Sequence, residues 1–245
     1  MPKFTTTGDK LKDLLKLMDV CNNYTKLTFR PDSLTFTSID PSRTCMLVGK
    51  VNPQIAFNSY EGEGESIYID IKDFDTVLKR VKKNDASFTV ENGEITVKEK
   101  NTTWSVRMLD DCTSPPTPNL ETENSFTIGV SAFEEEVTRA MDGGDILSFT
   151  LGEDGITITG KEDYKKGITT VVPKEDLTEY VYNNPATSSY SKTFMEDAFK
   201  VLPKDVVLKV GVDDAYPLVM KILSPNNAYE ATLYVAPRLN EEDDL

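Results

Sequence analysis

Four cations, Lys79, Arg80, Lys82 and Lys83, fall within five positions of the stretch FDTVLKRVKKND (74–85). The chemistry open to such a cluster is attraction to a polyanion, which needs Lys and Arg but no base-reading geometry. The surrounding chain is acidic, with 41 Asp and Glu against 27 Lys and Arg and a net charge of -14 over 245 residues. The cluster is therefore either ordinary solvated surface or one face kept for an anionic partner.

Covalent and acid-base chemistry finds little support. Histidine is absent, which removes the usual neutral-pH base, the Ser-His and Cys-His nucleophiles and the commonest metal ligand. The glycines of EGEGES (61–66) lack the spacing and the following Lys-Ser/Thr of a phosphate loop. The carboxylates are scattered and single out no catalytic pair. Cys21, Cys45 and Cys112 are odd in number and have no metal-ligand spacing, so they read as reduced, mostly buried thiols. Binding rather than catalysis is expected, with no cofactor. No run approaches the roughly 18 apolar residues of a membrane helix. The start MPKFTTTGDK lacks the apolar stretch of a secretory signal. A cytosolic or nuclear protein is the expectation.

The elements that must position the cluster come in duplicate. GDKLKDLLKLMDVCN (8–22) carries a helical stripe of Leu11, Leu14, Leu15 and Met18, and KLTFRPDSLTFTSI after it reads as a hairpin. VSAFEEEVTRAMD and ILSFTLGEDGITIT repeat that order, with Leu27-Thr28-Phe29 matching Leu147-Ser148-Phe149 at an offset of 120. The second helices, from Phe74 and from Phe194, keep the same offset, and each is followed by alternating strands. Between the halves, LDDCTSPPTPNLETENS (109–125) is proline-dense and without apolar period, as an extended connector would be. The expectation is an α+β protein of two similar domains, 1–108 and 128–245, joined by a connector over 109–127. Each domain has antiparallel strands and two helices covering one face of its sheet. Its exposed edge strands invite pairing with another copy.

Several stretches, in order, resemble the sliding clamps of the proliferating cell nuclear antigen (PCNA) type, archaeal members in particular. They are SIDPSR (38–43) before CMLV, FNSYEGEGESIYIDIKDFDTVLKRVKK (57–83), SSYSKTFMEDAFKVL (188–202), YPLVMKI (216–222), and LYVAPRL (233–239) before an acidic tail. The resemblance implies a trimeric ring with helices lining the hole and sheets outside. Duplex DNA would pass through the hole, a separate clamp loader would place the ring, and polymerase, ligase or nuclease would dock on one face through a short peptide. Such clamps are not enzymes; they act by raising effective concentration.

Carried onto this sequence, the DNA-facing residues are Lys12, Lys16, Lys79, Arg80, Lys82 and Lys83, with Arg139 and Lys200 as second-domain counterparts. Lys12 and Lys16 lie off the leucine stripe, and Val77, Leu78 and Val81 turn the later cations to solvent. Asp13 and Asp19 stand where relatives often carry Lys, and carboxylates flank Arg139 and Lys200, so the basic lining is expected mainly in the first half. The docking pocket implied by the family involves Ile39, Arg43, Thr44, Met46, Leu120, Pro217, Tyr234, Ala236 and Pro237. Thr44, where relatives are commonly more apolar, points to altered partner preference. The tail NEEDDL (240–245) adds to an acidic outer surface that repels DNA. Two rival readings stand beside the homotrimeric clamp: one subunit of a specialised heterotrimer of the damage-response type, and an acidic protein-binding scaffold that never encircles DNA.

Overall fold

The computed structural model describes the chain apart from residues 82, 111–115, 163–166, 225 and 239–245 and the side chain of Asp13. It divides into two units, Met1–Thr117 with Asn226–Ala231, and Pro118–Pro225 with Thr232–Leu245. The first unit runs β1 (Lys3–Thr7), α1 (Gly8–Met18), β2 (Tyr24–Arg30), β3 (Ser33–Ile39), β4 (Cys45–Val51), one-turn α2 (Pro53–Ala56), β5 (Ser59–Glu61), β6 (Glu65–Asp70), α3 (Ile71–Val81), β7 (Asp85–Glu91), β8 (Glu94–Glu99) and β9 (Thr102–Arg107). Its strands pair antiparallel in the orders β5-β1-β7-β8-β9 and β4-β3-β2-β6.

Local sequence explains these elements. In α3, Ile71, Phe74, Val77, Leu78 and Val81 fall at helical spacing and are all buried. The Asp70 carboxylate accepts from the Lys72 and Asp73 N–H groups at 2.8 and 3.3 Å, capping the first turn. Thr7 caps α1 in the same way, its hydroxyl oxygen accepting from Lys10 N–H. The hairpin of β2 and β3 closes across Arg30 and Ser33, which leaves Pro31-Asp32 as its loop. β7 and β8 turn through Asn92-Gly93, both at positive φ, as a right-twisted two-residue hairpin requires. On β7 and β8 the buried set is Ala86, Phe88, Val90, Ile95 and Val97, the period-two face of a half-buried sheet. α1 and α3 pack side by side.

The second unit repeats the plan with β10 (Ser125–Gly129), α4 (Val130–Met141), β11 (Ile146–Gly152), β12 (Gly155–Lys161), β13 (Ile168–Pro173), β14 (Glu179–Val181), β15 (Ala186–Ser191), α5 (Lys192–Val201), β16 (Val207–Gly211) and β17 (Leu218–Leu223). Its strands pair as β14-β10-β16-β17 and β13-β12-β11-β15, the orders of their first-unit counterparts. β18 (Tyr229–Val235) closes the series. α4 packs against β12, β13 and α5. The close approach to β12 is made at Gly160, where an ideal Cβ would stand 1.7 Å from the Ala140 carbonyl oxygen. The chain is thus α+β with antiparallel sheets in both halves.

Two expectations need correction. The 120-residue offset holds for the hairpins, but burial pairs Phe74, Val77 and Leu78 of α3 with Met195, Ala198 and Phe199 of α5, an offset of 121. Lys200 therefore corresponds to Lys79 and not Arg80. The reason is that packing sets helix register: Phe194 shares an identity with Phe74, yet Met195 is the residue that is buried. The thiols also depart from expectation. Cys21 and Cys45 form a disulfide with their Cα atoms 5.6 Å apart, because the turn after α1 meets the start of β4. Cys112 lies outside the described residues.

Candidate functional site

The cations of the first unit sit on two neighbouring helices. On α1, Lys12 is half-buried and Lys16 exposed; on α3 and the turn beyond it, Lys79, Arg80 and Lys83 are exposed. Lys82 lies outside the described residues. Lys79 pairs with Asp75 one turn back at 2.7 Å. Counted over residues 71–83, five cations face two carboxylates, a surplus of three positive charges.

The second unit places its cations differently. Arg139 on α4 is held by Glu135 and, at 2.7 Å, by Glu136. Lys200 on α5 donates to Asp197 at 2.7 Å, and this hydrogen bond raises its pKa. Lys204 is bonded to Glu134, and Lys192 to Asp145 at 2.6 Å. With α4 and α1 aligned by their buried faces, Lys12 corresponds to Glu134. The helix face that is basic in the first unit is charge-neutralised in the second. Exposed pairs of this kind add little stability but do offset the local field.

The first-unit part of the proposed docking surface is the loop between β3 and β4, residues 40–44, organised by Asp40. This carboxylate, 7% exposed, accepts from Ser42 N–H at 3.0 Å, Cys45 N–H at 2.5 Å, Thr44 Oγ1 at 3.2 Å and the Ser42 hydroxyl. Its own N–H donates to the Cys45 carbonyl at 3.0 Å, and Arg43 N–H to the Asp40 carbonyl at 2.9 Å. Burial works to raise the Asp40 pKa, but the donors from Ser42, Cys45 and Thr44 outweigh it and hold the carboxyl below its ordinary value. The loop tip, Arg43, takes φ of 60° and is exposed, beside half-buried Thr44. Ile39 and Met46 face each other across the base; Ile39 is half-buried and Met46 is buried, so Met46 supports the loop from below.

In the second unit, Pro217 follows a carbonyl, that of Tyr216, which accepts from Ser188 Oγ at 3.1 Å and Tyr190 Oη at 2.8 Å. Leu120, Tyr234, Ala236 and Pro237 are half-buried, and burial pushes the Tyr234 hydroxyl pKa up. Arg238 N–H donates to the Ser189 carbonyl at 2.7 Å, which fixes the segment after β18. The end of the connector is tied down by residues that sequence reasoning did not single out. Fully buried Asn124 donates to Asp213 and Asn184 and accepts from Asn183 N–H, while Glu123 N–H donates to Asp213 at 2.8 Å. The adjacent pairs Asn183-Asn184 and Asp213-Asp214 were the available signal. Among the described residues no group of His, Cys, Asp and Glu is arranged to hold a metal.

No family model matches the chain. A DNA polymerase sliding clamp of Thermoplasma acidophilum is 25% identical over 98% of this chain and the whole of the relative. DNA polymerase sliding clamp 2 of Thermococcus kodakarensis is 27% identical over 86% of each. Among solved structures, A. fulgidus PCNA bound to the C-terminal region of FEN-1 superposes with a TM-score of 0.86 at 20% identity, covering 98% of this chain and all of that one. PCNA of the Sulfolobus tokodaii PCNA2-PCNA3 complex gives 0.80 at 21% identity, over 96% and 99% of the two chains. Along its full length this chain is similar in sequence to archaeal DNA polymerase sliding clamps, and its repeated two-sheet plan is the fold of the PCNA structures.

Proposed function

We propose that this protein is a non-enzymatic processivity factor, a ring that encircles duplex DNA and tethers replication and repair enzymes by a docking peptide. The observation that carries the reading is the cation surplus on two packed helices of a chain that is otherwise strongly acidic. Sequence-independent contact with phosphate asks for that and nothing more specific. The contacts fall mainly on the first unit, Lys12, Lys16, Lys79, Arg80, Lys82 and Lys83, with Arg139 and Lys200 as minor contributors behind their carboxylates. The tethered partner is a polymerase, ligase or nuclease whose peptide meets the Asp40 loop, with Ile39, Arg43, Thr44 and Met46, and on the second unit Leu120, Pro217, Tyr234, Ala236 and Pro237. A separate clamp loader places the ring, in the cytoplasm if the source is archaeal.

Ring closure by three copies is supported by open strand edges. Among the described strands, β5, β6, β9, β13, β14 and β15 each end a sheet, and β9 and β13 are the candidates for pairing with another copy. On β13, Ile168 and Val171 are 40% and 61% exposed, an apolar edge of the sort that another copy covers. A heterotrimer is the second reading, favoured by the PCNA2-PCNA3 complex among the similar structures. Light scattering of the purified chain separates them. A homotrimer gives about three times the 27.4 kDa of one chain, whereas a persistent monomer points to missing partner subunits. The functional test is primer extension on a primed circular template with an archaeal clamp loader and polymerase. Products lengthen when the chain is added; unchanged product length would refute the processivity reading.

A further inference from the structure

We propose that the Cys21–Cys45 disulfide is a redox-controlled staple on the docking loop, so that the oxidised protein binds a partner peptide more tightly than the reduced one. The proposal rests on the reading of the Asp40 loop as a docking surface. Both feet of that loop are fastened to a single turn, the one after α1. At the first foot, Asn22 Nδ2 donates to the Ile39 carbonyl at 2.9 Å and Ser38 Oγ to the Asn22 carbonyl at 3.1 Å. At the second foot the fastening is covalent, from Cys21 to Cys45. Cys45 is also the residue whose N–H and carbonyl close the loop onto Asp40.

The two cysteines differ in exposure. Cys45 is 1% exposed, whereas Cys21 is half-buried and is the more accessible of the two. A small dithiol supplies the reducing equivalents. One of its thiolates attacks Sγ of Cys21, and Cys45 leaves as a thiolate and takes up a proton. The second thiol then closes the reagent's own disulfide and releases Cys21 as a thiol. Two electrons and two protons pass to the protein. Reduction leaves the Asn22 and Ser38 hydrogen bonds and the Asp40 donors in place, so the loop persists, but its second foot is then held by the Cys45–Asp40 hydrogen bonds without the covalent tie. A peptide must then order Arg43 and Thr44 on binding, and the cost of ordering such side chains corresponds to about threefold to tenfold in affinity.

The test uses the full chain and a fluorescent synthetic peptide of the C-terminal region of FEN-1. The anisotropy titration is run on oxidised protein, after dithiothreitol, after reoxidation with oxidised glutathione, and on a Cys21→Ser/Cys45→Ser variant, each carrying Cys112→Ser. Non-reducing peptide mapping is expected to show the 21–45 link. Affinity is expected to fall about threefold to tenfold on reduction, to recover on reoxidation, and to stay at the reduced value in the double variant. Free Cys21 and Cys45 thiols after glutathione treatment would overturn the proposal, as would equal affinities in all forms. If the peptide binds none of the forms, the docking reading itself fails. The staple is then judged by amide exchange of residues 40–46, which must quicken on reduction and is refuted if it does not.

Discussion

Replacing Asp40 by Asn removes the charge that organises the docking loop while keeping its shape. The Asn oxygen can still accept from the Cys45 N–H, which at 2.5 Å is the shorter of the two backbone contacts. Its NH2 group then faces Ser42 N–H, donor against donor, and the Ser42 and Thr44 hydroxyls must turn to accept. One backbone donor loses its partner and the remaining bonds lose their charge assistance, so the expected cost is about 1.5–3 kcal/mol at pH 7. With a urea dependence of roughly 2 kcal/mol per molar, the unfolding midpoint falls by about 1 M. Trp104, the single tryptophan, lies on β9 of the same unit and reports the transition. The pH dependence has a definite sign. The folded-state pKa of Asp40 is depressed, so its contribution is fully present above the unfolded value of about 4. It is lost as pH falls through the folded value. The gap between wild type and Asp40→Asn should therefore narrow on acidification from pH 7 towards pH 3. Equal midpoints at pH 7, or a gap that stays constant with pH, would refute this account of the loop.

Other expectations follow from particular contacts. Arg80→Ala with Lys83→Ala, both exposed, should lower the slope of log affinity for duplex DNA against log salt by about 1 for each phosphate contact removed. Arg139→Ala with Lys200→Ala, both ion-paired, should change it much less; equal effects would sink the asymmetry between the two units. Gly160→Ala drives a methyl group into the Ala140 carbonyl, 1.7 Å from the ideal Cβ, and should destabilise by about 1–3 kcal/mol, read by circular dichroism on heating. Thr25 is fully buried with its hydroxyl unpaired, so Thr25→Val should be neutral or stabilising by up to about 1 kcal/mol, and a clear loss of stability would show that the hydroxyl has a partner.

Much of the architecture was legible because it depends on short-range pattern. Phe74, Val77, Leu78 and Val81 share a face by helical arithmetic alone, and the cations between them had to point outward. The ion pairs of Arg139 with Glu135 and Glu136 sit at helical spacings of four and three, so the sequence already hinted that this cation is offset. What could not be read depends on contacts distant in the chain. The sequence separation of 24 between Cys21 and Cys45 gives no sign that the turn after α1 meets β4. That meeting follows from how the β2–β3 hairpin and the Asp40 loop bring β4 back. SIDPSR was visible as a motif, but the role of Asp40 as a four-fold acceptor appears only once Cys45 closes the loop. The one-residue slip between α3 and α5 has a similar origin, since a shared Phe is visible in sequence and a shared burial is not.

The central claim is topological, and one measurement addresses it directly. The chain is labelled, loaded by an archaeal clamp loader with ATP onto a nicked circular duplex, and followed at a salt concentration that disrupts ordinary phosphate contacts. If three copies encircle the DNA, the label stays on the circle and is released when a single restriction cut makes the duplex linear. Label that dissociates equally from circle and linear DNA, or that remains after the cut, would contradict encirclement.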